Sequence, residues 1–146
     1  MRRLAVSVAT GRVSAVFFEN GQLLGWCRSA KAFGDVGAAK QMAQNWIAGF
    51  GPQQLVTEDA ISIARKGSQS QRITEAIAHA FADADCLDVR VRRIQRHENK
   101  YEEAAVLAEQ FPPAQSILPK RPPIWLPEPR NMGYFEALAL VAELNG

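Results

Sequence analysis

The side chains in this chain that could do chemistry are a few carboxylates and a larger set of cations. Glu58 and Asp59 stand side by side, and Glu136 lies near the start of a carboxy-terminal helix. Taken alone, the first two suit a solvated strand end, and Glu136 suits an exposed helix residue favoured by the dipole. The cations are Arg65 and Lys66 after Glu58, then Arg90, Arg92, Arg93, Arg96 and Lys100, then Lys120, Arg121 and Arg130 with Trp125 among them. Cations interleaved with an aromatic suit phosphate contact and base stacking. They equally suit a solvated surface with Trp125 pinning its segment to the core. Acids gather elsewhere, at Asp83, Asp85, Asp88, Glu102 and Glu103. Cys27 and Cys86 are far apart, without CxxC spacing, and read as reduced structural thiols. His79 and His97 have no Cys or His at ligand spacing and read as solvated.

The elements that must position these groups follow from periodicity. Leu4, Val6 and Val8 alternate, Val13 to Phe18 is β-branched and aromatic, and Leu23 to Cys27 continues after Asn20-Gly21, a tight-turn signal. Three strands with short connections must be antiparallel neighbours. The period then changes. Ala39, Ala43, Trp46, Ile47 and Phe50 share one face of a helix from Asp35 to Phe50, with Asp35 as its N-cap. Gln54 to Thr57 reads as a strand. Ser68 to Ala84 reads as an amphipathic helix, with Ser68 and Gln71 as a capping box. Val89 to Gln95 is a strand, Asn99 to Gln110 a helix, and Met132 to Leu144 a last helix. Between residues 112 and 130 fall seven of the eight prolines, which predicts an extended surface connection without helix. This order predicts an α/β mixed sheet of five strands, three antiparallel and then parallel ones, flanked by helices on both faces.

Size and composition agree with such a fold. The 146 residues fit one domain spanning 1–146, and 47% hydrophobic with 22% charged residues is ordinary for a folded chain. No apolar run approaches the roughly 18 residues of a membrane span, so no membrane partner is expected. The apolar run after Arg2 and Arg3 is short and alternates into strand, so no signal peptide is expected, and the cytoplasm is the expected location. A net charge of +2 decides little about partners.

The element order resembles the ribonuclease H-like fold, and its details resemble the RuvC-type Holliday junction resolvases. Leu4 to Val16 resembles their opening strand-turn-strand. Thr57-Glu58-Asp59 ahead of Ser68-Gln69-Ser70 resembles their glutamate strand and following helix. Tyr134-Phe135-Glu136-Ala137-Leu138-Ala139-Leu140-Val141 resembles their last helix. The resemblance implies carboxylates from separate elements holding magnesium or manganese ions about 4 Å apart for phosphodiester cleavage. On that pattern Glu58 and Glu136 are the catalytic acids, and Glu58, Asp59 and Glu136 the metal ligands. Asp59 cannot share Glu58's direction without a bend, because a strand alternates its side chains. Ser7 stands where the first aspartate belongs, and Gly133 where a further acid would sit.

The expectation is therefore a ribonuclease H-like, RuvC-like nucleic-acid-binding protein with a degenerate site. Magnesium or manganese is held weakly at most, and Ser7→Asp with Gly133→Asp should raise metal affinity. Nucleic-acid binding falls to Arg65, Lys66, Arg90, Arg92, Arg93, Lys100, Lys120 and Arg121, with branched or single-stranded DNA, or RNA, as partner. The resemblance also implies a homodimer. Three alternatives remain at this stage. One is an active metal-dependent nuclease. Another is a protein-interaction scaffold using Pro112 to Arg130. The third is an actin-like or sugar-kinase-like fragment, which would need a second phosphate-binding domain.

Overall fold

A computed structural model describes residues 1–9 and 11–145. Strands β1 (Arg2–Ala9), β2 (Arg12–Glu19) and β3 (Gln22–Ser29) pair antiparallel. Their short connections leave no room for a crossover. At the β2–β3 turn, Asn20 and Gly21 take φ of 52° and 82°. That positive pair matches the turn to the twist of the strands it joins. Two parallel strands follow, β4 (Gln54–Glu58) and β5 (Leu87–Val91), giving the order β3-β2-β1-β4-β5. The expected mixed sheet is present, with β1 central and β4 parallel beside it.

Six α-helices cover the described part of the chain: α1 (Lys31–Gly34), α2 (Val36–Phe50), α3 (Ala60–Ala64), α4 (Ser68–Asp83), α5 (Lys100–Gln110) and α6 (Met132–Asn145). Strand alternation divides the core into two layers. Leu4, Val6 and Val8 of β1 pack with Leu55, Ala39 and Ala43 of α2, and Ile73, Ile77 and Phe81 of α4. On the other face Ala5, Val16, Phe18 and Val56 pack with Leu107 of α5 and with Met132, Phe135 and Leu138 of α6.

The caps explain where helices begin. The Asp35 carboxylate accepts from the amides of Gly37 and Ala38 at the start of α2, as expected. Asn99 does the same for α5 through Tyr101 and Glu102. The expected capping box at Ser68 and Gln71 is absent. Gly67, with φ of 99°, precedes α4, and its carbonyl accepts from the Gln71 amide. A residue before that helix must adopt a positive φ, which glycine does at little cost.

Several elements differ from the sequence reading. Strand β5 runs from Leu87 to Val91, because its partner β4 ends at Glu58, opposite Val91. Beyond that point no neighbour remains for it to pair with. The proline-rich stretch opens with a 3₁₀ helix, Pro112–Ile117, where the expectation was no helix. Pro112 and Pro113 occupy the first turn, where a missing N–H removes no intrahelical bond. The short helices α1 and α3 carry too few turns to show a period, and they were not expected from the pattern.

Candidate functional site

Ser7 and Glu58 meet because of sheet register. Strand β1 pairs parallel with β4 through Arg3–Gln54, Leu4–Leu55 and Ala5–Val56, and the same register brings Ser7 beside Glu58. Both alternate onto the α6 face, with Ala5 and Val56. Both are 2% exposed. After β4 the chain folds into α3 and turns at Lys66 and Gly67, where the Lys66 amide donates to Ile63. This turn sends Lys66 back over the strand end. Its ammonium pairs with Glu58 Oε1 and donates to Ser7 Oγ at 3.4 Å. A cation from the chain itself therefore stands between the two groups.

Glu136 reaches the same cleft from the first half of α6. Its carboxylate lies 3.5 Å from Arg93 Nε and 3.6 Å from Lys100 Nζ. Arg93 also donates to Glu103, at 3.0 Å through one nitrogen. Burial disfavours the charge on Arg93, but the Glu103 hydrogen bond and the charges of Glu136, Glu103 and Glu58 outweigh it and raise its pKa above the ordinary guanidinium value. Lys100 bridges Glu136 to Glu128, which in turn pairs with Arg12. The cleft encloses about 480 Å³ and joins Glu58, Lys66, Arg93, Lys100, Glu128 and Glu136 on one wall system. Every acid in it faces at least one cation.

Whether these residues fit a pair of divalent ions is decided by the donor set. Two ions need several carboxylate oxygens free to converge. Here one Glu58 oxygen is committed to Lys66, Ser7 supplies a neutral hydroxyl, and Glu136 is compensated by Arg93 and Lys100. Among the described residues, no three His, Cys, Asp or Glu side chains converge as metal ligands would. The residues do not fit a two-ion centre. One feature points the other way: Glu58 Oε2 is buried with no hydrogen-bond partner.

Gly133 sits where an added side chain would crowd its neighbours. A Cβ built there would overlap the Ser14 side chain and lie 3.1 Å from Arg12 Nε. Gly133 lets α6 pack directly on β2, so any side chain placed there, the aspartate of Gly133→Asp included, must first displace Ser14.

The remaining sequence-selected residues divide. Asp59 caps α3 by accepting from the Ser62 amide at 2.8 Å and pairs with Arg92 at 3.0 Å; it does not line the cleft. The Ser62 amide first, and Arg92 after it, hold the Asp59 carboxyl below its ordinary pKa. Arg90 is engaged by Asp88 and Glu75, outside the cleft. Arg65, Lys66, Arg93 and Lys100 line the cleft, whereas Lys120 and Arg121 are exposed on the connection before α6. Sequence reasoning missed Ser62, Gln95, His97, Asn99, Glu103 and Glu128, which also line it. No spacing rule marks them, because they come from α3, the segment after β5, helix α5 and the connection before α6, and converge only when these pack together. His97, read as solvated, is half-buried in this wall.

Neither a protein-family model nor a curated protein matches the sequence. The fold does match solved structures. Thermus thermophilus RuvC superimposes with a TM-score of 0.65 at 14% identity, over 96% of this chain and 90% of that one. The T. thermophilus RuvC complex with Holliday junction substrate gives 0.62 at 15%, over 96% and 89%. The fowlpox virus resolvase complex with substrate Holliday junction DNA gives 0.62 at 14%, over 99% and 98%. The chain thus has the ribonuclease H-like fold, in the form shared by RuvC and the poxvirus resolvase. At these identities the likeness is one of fold.

Proposed function

We propose that this chain is a RuvC-like nucleic-acid-binding protein that engages branched or single-stranded nucleic acid without a two-metal cleavage centre. The observation that carries the reading is Lys66, whose ammonium bridges Ser7 and Glu58. A lysine head group supplies one fixed positive charge at a position where a divalent pair would supply more charge and open coordination sites. It can attract a phosphate but cannot generate a metal-bound nucleophile. The RuvC and fowlpox resolvase complexes hold junction DNA on this fold, which supports nucleic acid as the partner class. A cytoplasmic location and homodimeric assembly belong to the same proposal.

The test is binding and cleavage of a synthetic four-way junction, followed by fluorescence anisotropy and gel analysis. Binding should persist in EDTA, and magnesium or manganese should produce no cleavage of junctions or RNA–DNA hybrids above background. Robust metal-dependent cleavage, abolished by Glu58→Gln, would overturn the reading. A second reading, an active metal-dependent nuclease, is favoured by the partnerless Glu58 Oε2 alone. It requires Lys66 to leave Glu58 when metal binds, and the same cleavage assay decides it.

A further inference from the structure

The residues from Pro122 to Pro129 form a stiff projection beside the cleft. The Leu126 amide donates to the Pro123 carbonyl at 3.0 Å, closing a turn with Ile124 and Trp125 at its tip. Prolines at 122, 123, 127 and 129 bracket the turn and fix φ at each of those positions, so it loses little conformational freedom when something binds. Arg121 lies 5.2 Å from the Tyr101 ring centroid, and Glu128 pairs with Arg12 and Lys100. These contacts anchor both sides of the turn. The tip itself is bare: Ile124 is 97% exposed and Trp125 79%. Trp125 therefore does not pin the connection to the core.

The setting of the tip identifies its occupant. A groove of about 700 Å³ runs along Tyr101, Arg121, Ile124 and Leu126, and it shares Gln95, Asn99, Lys100 and Glu128 with the cleft that holds Glu58. A chain lying in one continues into the other. In sequence Lys120 and Arg121 precede the tip and Arg130 follows it, and none of the three forms an ion pair among the described residues, unlike Arg93 and Lys100 inside the cleft. Cations without a carboxylate partner on the segment that carries one exposed indole match a phosphate backbone carrying an unstacked base. A protein partner fits less well. Three side chains fall far short of the roughly 800 Å² per partner that a stable protein interface buries.

We infer that Trp125 stacks on an unpaired base, with Lys120 and Arg121 holding the adjoining phosphates, as the strand leaves the cleft. This rests on the proposed nucleic-acid function and names the form of nucleic acid it selects. The experiment compares the full chain with Trp125→Ala and Trp125→Phe by anisotropy in EDTA. The probes are a four-way junction, an oligothymidylate of about 20 nucleotides, and a blunt duplex. Trp125→Ala should weaken the oligothymidylate about 5- to 100-fold and leave the blunt duplex unchanged, whereas Trp125→Phe should restore most of the affinity. Oligothymidylate should also quench tryptophan emission in the natural protein and not in Trp125→Phe, since Trp26 and Trp46 are half-buried. Equal affinity of natural protein and Trp125→Ala for the oligothymidylate overturns the stacking while leaving the proposed function intact. Failure of the natural protein to bind any probe overturns the function, and the stacking with it.

Discussion

At the scale of single residues, the cleft is governed by one buried carboxylate and the lysine that neutralises it. Glu58 is 2% exposed, and Lys66 is its ionic partner. Removing one member of a buried pair strands a charge, which costs more than the pair itself contributes. Lys66→Met should therefore destabilise the protein by about 3 kcal/mol. Adding Glu58→Gln to that variant should recover much of the loss, and urea denaturation of the four proteins in a double-mutant cycle measures it. Metal binding follows from the same pair. Calorimetry should show Ser7→Asp with Lys66→Ala binding magnesium or manganese more tightly than the natural chain. The hydroxyl then becomes a carboxylate and the competing ammonium is gone. No gain in heat or affinity would mean that Ser7 and Glu58 do not share a ligand site.

At the scale of elements, the site depends on how α3 and α6 are attached to the sheet. Asp59 caps α3, the short helix that turns Lys66 back over β4. Its carboxyl is held below its ordinary pKa of 3.8 by the Ser62 amide and Arg92. The folded state therefore keeps this group ionised at pH values where the unfolded chain protonates it. Its stabilisation is complete above about pH 4 and is lost as pH falls through the lowered folded value. Asp59→Asn should flatten that acid limb, as read by urea midpoints between about pH 2.5 and 6. The steric limit lies at α6, where Gly133 packs on Ser14. Gly133→Ala should cost about 1–3 kcal/mol by overpacking, visible as a lowered melting temperature, despite alanine's better helix propensity. An unchanged or raised melting temperature would show that α6 stands off β2.

At the scale of the whole molecule, what matters is which positive charges remain free. Of the basic residues near the cleft and the projection, Arg90, Arg92, Arg93, Lys66 and Lys100 are matched by acids. Arg65, Lys120, Arg121 and Arg130 are not, among the described residues. A salt dependence carried by about four phosphate contacts gives a log–log slope near −3 to −4 on duplex DNA, where eight would give about −7. Lys120→Ala with Arg121→Ala should make the slope shallower by about 2, measured by anisotropy from about 50 to 200 mM salt. A slope that stays the same would place the contacts elsewhere on the surface.

The sequence by itself determined the architecture. Alternation in β1 and β2, the Asn20-Gly21 turn and the apolar stripes of α2 and α4 are local signals with fixed periods, and the sheet order follows from short connections and crossovers. It also marked Glu58 and Glu136 as acids on separate elements that a common face could bring together. Only the tertiary structure decided what those acids meet. Lys66 looked like one cation in a basic loop, and nothing in its spacing from Glu58 shows that a five-residue helix will fold it back onto the strand end. Arg93 and Lys100 read as free phosphate contacts, yet the segment after β5 and helix α5 place them against Glu103 and Glu136. Gly133 read as a missing acid, and α6 approaches Ser14 so closely that any side chain there must displace it. Periodicity reports which face a residue takes, because side-chain direction is set by local geometry. Charge pairing depends on distances between elements remote in sequence, and these exist only once the two layers have packed.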